Sequence, residues 1–262
     1  MGALTGRNIL VTRAQIQAAS LSDKIRQAGG TPIEVPLLHF TLRNNQENKQ
    51  FIEQLHEFAW IFFTSSNGVR FFFKLWDKKS RSWPENLKVG AVGEKTEKTL
   101  IKYGVSADFV PSTYTAEVMA EEFLKKYDSP GSTLLVRGNL SRDVLPVALR
   151  GHVFFQSMTV YDTLLAKDQR PLMEALENIS IDAYTFTSPS TVEAFARLCH
   201  KHKKFNKYLS VPCICIGPTT EEKAKQEGFM NVLMPDGHYT TEGMVELMES
   251  YFSEKGIDID EQ

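Results

Sequence analysis

Ile61-Phe62-Phe63-Thr64-Ser65-Ser66-Asn67-Gly68-Val69 passes from an apolar, strand-like run into hydroxyls and small polar residues. A helix follows, because Val69, Phe72, Phe73 and Trp76 recur at i, i+3, i+4 and i+7 and so share one face. The pattern returns 123 residues later as Tyr184-Thr185-Phe186-Thr187-Ser188-Pro189-Ser190-Thr191-Val192, with Val192, Phe195, Ala196 and Cys199 at the same spacing. A strand that ends in hydroxyls and feeds a helix leaves unpaired backbone N–H groups beside the loop, and such a place favours anions. The simpler reading is that Ser66 and Ser190 only cap two helices. Two copies in one chain weigh against it.

The echo belongs to a longer one. Thr133-Leu134-Leu135-Val136-Arg137 matches Ile9-Leu10-Val11-Thr12-Arg13 at an offset of 124 residues. Ile216-Gly217-Pro218-Thr219-Thr220 matches Val92-Gly93-Glu94-Lys95-Thr96 at the same offset, as do Gly228 with Gly104 and Pro235 with Pro111. Tyr239-Thr240-Thr241-Glu242 then matches Tyr114-Thr115-Ala116-Glu117 at 125, one residue having been added. The chain is an internal duplication, with a period far too long for a solenoid.

Between these landmarks, strands alternate with helices through short connections, which predicts an α/β fold with parallel sheets flanked by helices. The first helix is marked by Ala18, Leu21, Ile25 and Ala28 and stopped by Gly29-Gly30. Ile33 to Leu38 resumes a strand, and a helix is expected over Phe51–Phe58 after a polar turn at Arg43–Gln50. A loop is expected from Asp77 to Trp83. The helix after Gly93 ends at Gly104, a strand is expected from Val105 to Val110, and Thr115 caps the next helix.

With 262 residues and 42% apolar side chains, the chain can bury a core without staples. Thirty basic against 32 acidic residues leave a formal charge of −2, which argues against nucleic acid as a partner. No apolar run approaches the ~20 residues needed to cross a bilayer, and the chain enters its first strand with no signal-peptide pattern. A cytoplasmic location is the expectation. Cys213 and Cys215 alternate on one strand face and, with Cys199, read as small core residues. His200 and His202 lie in a lysine-rich loop with no further ligand at metal spacing, so no metal site is expected. Glu121-Glu122 and Glu221-Glu222 fall on helices and read as solvated faces.

In a parallel sheet, ligands bind at the carboxyl ends of the strands. The candidate binding residues there are Arg13, then Thr64, Ser65, Ser66 and Asn67, then Gly93 and Thr96, and then Arg137, Gly138 and Asn139. The second half supplies Thr187, Ser188, Pro189 and Ser190, with Gly217, Thr219 and Thr220. Hydroxyls, glycines and two arginines suit a polyanion, and no nucleophilic triad or acid pair stands among them. Gly93-Glu94-Lys95-Thr96 lacks the glycines of a P-loop, and no Gly-x-Gly-x-x-Gly follows a strand, so no nucleotide cofactor is expected.

Val11-Thr12-Arg13, Thr64-Ser65-Ser66-Asn67-Gly68-Val69, Val92-Gly93-x-x-Thr96, Val160-Tyr161-Asp162-Thr163, Phe186-Thr187-Ser188-Pro189-Ser190 and Ile216-Gly217-Pro218-Thr219-Thr220 stand in one order along nearly the whole chain. In that order they resemble the uroporphyrinogen-III synthase family. The resemblance implies two similar α/β domains that do not coincide with the repeats. One would combine residues 1–37 with 165–262, the other would hold 40–162, and 37–40 and 162–165 would form paired extended linkers. It also implies that the 64–67 and 187–190 loops bind across an interdomain cleft.

The implied substrate is hydroxymethylbilane, a linear tetrapyrrole with eight carboxylates, cyclised with loss of water and inversion of ring D through a spiro intermediate. Tyr161 matches the family's active-site tyrosine and is the candidate catalytic residue, assisting departure of the hydroxyl. The resemblance further implies a lyase without cofactor, a monomer, and a transient hand-over of substrate from hydroxymethylbilane synthase. The alternative is a non-catalytic two-domain protein that binds a small polyanion, which the same sequence features would serve.

Overall fold

The computed structural model describes residues 2–76, 82–168, 170–200 and 202–260. Residues 77–81 of the loop expected at 77–83, and Lys201 of the histidine loop, lie outside them. The chain divides into two compact units, residues 1–39 with 164–262 and residues 40–163.

The first unit contains β1 (Asn8–Val11), α1 (Gln15–Gln27) and β2 (Thr31–Glu34) at its start. Between its two segments runs the second unit. That unit begins within β3 (Leu38–Leu42) and continues through α2 (Gln46–Glu53), β4 (Trp60–Phe63), α3 (Ser66–Leu75), β5 (Lys88–Ala91), α4 (Glu94–Lys102) and α5 (Ala116–Lys126). It ends with β6 (Thr133–Gly138), α6 (Val144–Leu149) and most of β7 (Phe155–Leu165). The first unit then resumes with α7 (Arg170–Asn178), β8 (Ala183–Phe186), α8 (Pro189–Cys199), α9 (Phe205–Leu209), β9 (Cys213–Cys215), α10 (Pro218–Gln226), β10 (Val232–Leu233) and α11 (Thr241–Asp260).

The sheet of the first unit has the order β10-β9-β8-β1-β2, with every pair parallel. Strand residues alternate between its faces, as the period of two requires. Leu10, Tyr184, Phe186, Cys213 and Cys215 pack under α7, α8 and α10, whereas Ile9, Val11, Ala183 and Ile214 pack under α1 and α11. The three cysteines are buried as expected. Every residue of the α1 stripe, from Ala18 to Ala28, is buried as well.

The second unit has the order β3-β7-β6-β4-β5, with β7, β6, β4 and β5 parallel. Ala166 N donates to Leu37 O at 2.8 Å and Arg43 N to Val160 O at 3.0 Å. Numbers that rise on one strand as they fall on the other make β3 antiparallel to β7. Ile61, Phe63, Leu134 and Val136 face α2, α3 and α4, while Trp60, Phe62 and Leu135 face α5 and α6. The α3 stripe packs as its spacing predicts, since Val69, Phe72, Phe73 and Trp76 are all buried.

The repeat offsets show how the duplication is distributed. β6 and β7 in the second repeat correspond to β1 and β2 in the first, and β8 and β9 correspond to β4 and β5. Both sheets therefore run in the same internal order, β2-β1-β8-β9 and β7-β6-β4-β5. Each joins the opening strands of one repeat to the closing strands of the other.

Three local expectations fail. The strand expected over 33–38 is interrupted at 35–37, where Pro36 has no N–H to give, and divides into β2 and β3. The strand expected at 105–110 reduces to a single bridge between Gly90 and Phe109. There the Asp108 carboxylate accepts Val89 N at 2.8 Å, taking a place that a backbone carbonyl would hold in a ladder, and Pro111 follows without an N–H. The helix expected at 51–58 instead occupies Gln46–Glu53, because Asn45 caps it by accepting Asn48 N at 2.9 Å.

Candidate active site

The candidate residues divide between the two units, and within each unit they gather at the carboxyl ends of the strands. In the second unit, Thr64 follows β4 and its hydroxyl donates to Val136 O of β6 at 3.2 Å. Ser65, with extended backbone, is the N-cap of α3, and its Oγ accepts Gly68 N at 3.0 Å. The cap is therefore one residue earlier than Ser66, whose freed hydroxyl donates to Lys95 O at 3.0 Å and ties the start of α3 to that of α4. Gly93 is the N-cap of α4, and Thr96 is buried in its first turn.

Tyr161, in β7, is 8% exposed. Its ring stacks on Phe71, with centroids 5.1 Å apart, and meets Phe40 edge-on at 5.5 Å. Gly138, at the end of β6, lies directly beneath that ring. A Cβ there would come within 2.6 Å of the phenol oxygen and 2.7 Å of Cε2. The phenol is hydrogen-bonded to the side chains of Ser65 and Asn67. Burial pushes its pKa up, and those two hydrogen bonds act in the opposite direction by favouring the phenolate. Thr64–Asn67, Gly138 and Tyr161 thus form one cluster. Asn139 secures it, since its N–H donates to Tyr161 O at 3.1 Å and its Oδ1 accepts Thr163 N at 2.8 Å.

Arg137 is committed to its own loop, donating to Asp143 Oδ1 at 2.7 Å and to Ser141 O. Its repeat partner Arg13, in the first unit, is placed differently. Arg13 is 9% exposed and reaches Gln17 Oε1 at 3.3 Å, while its buried Nε has no hydrogen-bond partner. Among the described residues it forms no ion pair, and burial alone pulls its pKa down. The difference is visible in sequence, because the position equivalent to Asp143 is Ala19.

Around Arg13, Thr12 Oγ1 donates to Thr185 O at 2.6 Å and Thr185 Oγ1 to Leu10 O at 2.9 Å, which fastens β1 to β8. Thr187 follows β8. Ser188, not Ser190, caps α8 by accepting Thr191 N at 3.3 Å, and the Ser188 and Ser190 hydroxyls lie 2.9 Å apart. Pro189 takes the first helical position, where its missing N–H costs nothing. Gly217 caps α10, with Thr219 exposed and Thr220 buried in the first turn.

Phe71 and Phe40, which hold the Tyr161 ring, escape the sequence reading. The signal for Phe71 is the run Phe71-Phe72-Phe73, in which one ring must leave the α3 stripe. Among the described residues, no group of three His, Cys, Asp or Glu side chains is placed to hold a metal. None of their helices is long and apolar enough to cross a membrane. Glu121 and Glu221 pair with Lys125 and Lys225 on helix surfaces, as solvated residues do.

Residues 19–246 match the family model for uroporphyrinogen-III synthase HemD. A uroporphyrinogen-III synthase from Chlorobaculum parvum is 30% identical over 88% of this chain and 93% of its own. A porphyrin biosynthesis protein HemD from Ruminiclostridium josui is 28% identical over 85% of this chain, which spans 44% of that longer protein. The crystal structure of uroporphyrinogen-III synthetase from Helicobacter pylori superposes with a TM-score of 0.65 at 20% identity, covering 94% of this chain and 99% of that one, and so shares the fold. With most of its length matched by the family model, the chain belongs to the uroporphyrinogen-III synthase family.

Proposed function

We propose that the protein is a lyase that cyclises hydroxymethylbilane to uroporphyrinogen III. Loss of the terminal hydroxyl leaves an azafulvene cation. The substituted carbon of ring D attacks it to give a spiro intermediate, whose rearrangement and closure leave ring D inverted. Both nucleophile and electrophile belong to the substrate, so the protein's task is to select a conformation and assist a leaving group. No activated serine or cysteine is needed, in keeping with strand ends that carry donors and no nucleophilic triad.

The observation that carries this reading is the setting of Tyr161. Burial keeps the phenol protonated, which is the form that can donate to a departing hydroxyl and release it as water. Ser65 and Asn67 then stabilise the phenolate left behind. The substrate's carboxylates are received by strand-end donors on each unit: Arg13 with the first turns of α8 and α10, and the first turns of α3 and α4. The expected partner is this small molecule, supplied by hydroxymethylbilane synthase to a monomeric protein.

The test supplies the protein with hydroxymethylbilane synthase and porphobilinogen, oxidises the products and separates the porphyrin isomers. Uncatalysed closure gives the type I isomer, so a shift to type III identifies the activity. A product mixture identical to the control overturns the reading and leaves a polyanion-binding protein.

A further inference from the structure

Tyr114 and Tyr239 occupy equivalent places in the two repeats, and their surroundings match in detail. Each directly precedes a threonine that caps a helix: Thr115 Oγ1 accepts Val118 N at 3.2 Å, and Thr240 Oγ1 accepts Gly243 N at 3.1 Å. The same tight turn precedes both caps, with Thr115 N donating to Thr113 O and Thr240 N to His238 O, each at 2.8 Å. One side of each tyrosine rests on the glycine that caps the neighbouring helix, Gly93 for α4 and Gly217 for α10. A Cβ at 93 would come within 2.9 Å of Tyr114 Cβ and 3.1 Å of its Cγ; at 217 it would just touch Tyr239 Cγ at 3.4 Å. Both glycines have extended backbone, φ −169° and −174°, which any residue adopts. At position 93, then, the close approach of Tyr114 is what calls for glycine.

The remainder of each ring is open, 58% exposed for Tyr114 and 52% for Tyr239. Both stand at the carboxyl ends of their sheets, next to the first turns that carry Thr96 and Thr220. A large ring held by a tight turn and a glycine seat is a flat apolar face that loses little freedom on binding. Pyrroles are flat aromatic rings, and the strand-end donors already described would take their carboxylates.

We propose that Tyr114 and Tyr239 are substrate-binding residues, each stacking its exposed ring face on one pyrrole of the linear tetrapyrrole. This rests on the hydroxymethylbilane reading above. The test is KM and kcat for hydroxymethylbilane in the wild type and in Tyr114→Phe, Tyr114→Leu, Tyr239→Phe and Tyr239→Leu. Loss of a stacked ring should raise KM about two- to tenfold in the leucine variants and leave kcat near wild type. The phenylalanine variants should keep the wild-type KM.

Wild-type turnover with unchanged KM in the leucine variants overturns the stacking and spares the proposed activity. Phenylalanine variants as impaired as leucine ones overturn it too, because the hydroxyl would then be the recognising group. Absence of wild-type turnover overturns the proposed activity and this inference together. If the leucine variants fail to fold, Tyr114→Met and Tyr239→Met take their place: they remove the flat ring with less loss of side-chain length and should raise KM likewise. Methionine variants with the wild-type KM overturn the proposal.

Discussion

Gly138 and Tyr161 are in such close contact that the glycine has no room for a side chain. A Cβ at 138 would meet Cζ, the phenol oxygen and Cε2 of the tyrosine ring. The ring cannot retreat easily, because Phe71 stacks on it and Phe40 abuts it. Gly138→Ala should therefore lift the phenol away from Ser65 and Asn67 at a cost of about 1–3 kcal/mol in stability. Its rate should fall toward that of Tyr161→Phe, which we expect to lose on the order of 10²–10⁴ in turnover if the phenol acts as the acid. Initial rates and isomer ratios for both variants, beside thermal unfolding, test this. A fully active, folded Gly138→Ala protein would show that the ring's position is immaterial to turnover.

Arg13 and Arg137 are equivalent in the repeats and opposite in situation. Arg137 is neutralised by Asp143, whereas Arg13 is buried, with Nε lacking a hydrogen-bond partner. An unpaired buried cation destabilises the fold, so an apolar replacement of similar volume should be neutral or stabilising. Arg13→Met is thus expected to raise KM for a polyanionic substrate while leaving the unfolding midpoint unchanged or higher. A marked loss of stability with normal KM would assign Arg13 a structural role instead.

Much of this is legible in the sequence alone. The Thr-Ser loops, the repeat offsets and the α3 stripe located the strand ends and the helix that follows them, because periodicity and turn chemistry are local signals. What escaped was non-local. Whether Ser65 or Ser66 caps α3 depends on a hydroxyl reaching Lys95 O, 29 residues away. The Val105–Val110 segment has strand composition, but the side chain of Asp108 takes a ladder position that propensity cannot foresee. Nor does the repeat period locate the units. It would cut the chain near 128, whereas the compact units exchange strands between repeats, since sheet order is decided by which faces pack.

Asn48 and Arg43 both bind the start of the second unit to β7, with unequal consequence. Asn48 is 1% exposed, and its Nδ2 donates to Arg43 O at 2.6 Å and to Thr159 O at 2.8 Å. Asn48→Ala strands two carbonyls in a buried place and should cost about 1–3 kcal/mol. Arg43 pairs with Asp162 at the surface, where removal of the pair should cost only about 0.2–1 kcal/mol. Denaturant midpoints that rank the two variants the other way would mean the exposed pair holds the strand.

The core also carries a pH dependence that can be worked out in sign. Burial pushes the Cys199 thiol up to about 12, and the Cys215 thiol is raised by its hydrogen bond with Cys213 and by burial. A raised folded-state pKa gives stability that is complete below the unfolded pKa and is lost as pH rises toward the folded value, because the unfolded chain releases its proton first. For Cys199 the loss begins near the ordinary thiol value of about 8.5 and continues to about 12. Tyr161 and Tyr184, both raised chiefly by burial, join it as pH passes the ordinary tyrosine value of about 10. Unfolding free energy should therefore hold from neutral pH to about 8 and then decline, with Cys199 alone accounting for about 1 kcal/mol between pH 9 and 10. Cys199→Ala should be less stable at pH 7, having lost buried sulfur, yet show a slope shallower by that amount over the same interval. Parallel slopes in the two proteins would mean that the buried thiol is not what the alkaline chain must ionise to unfold.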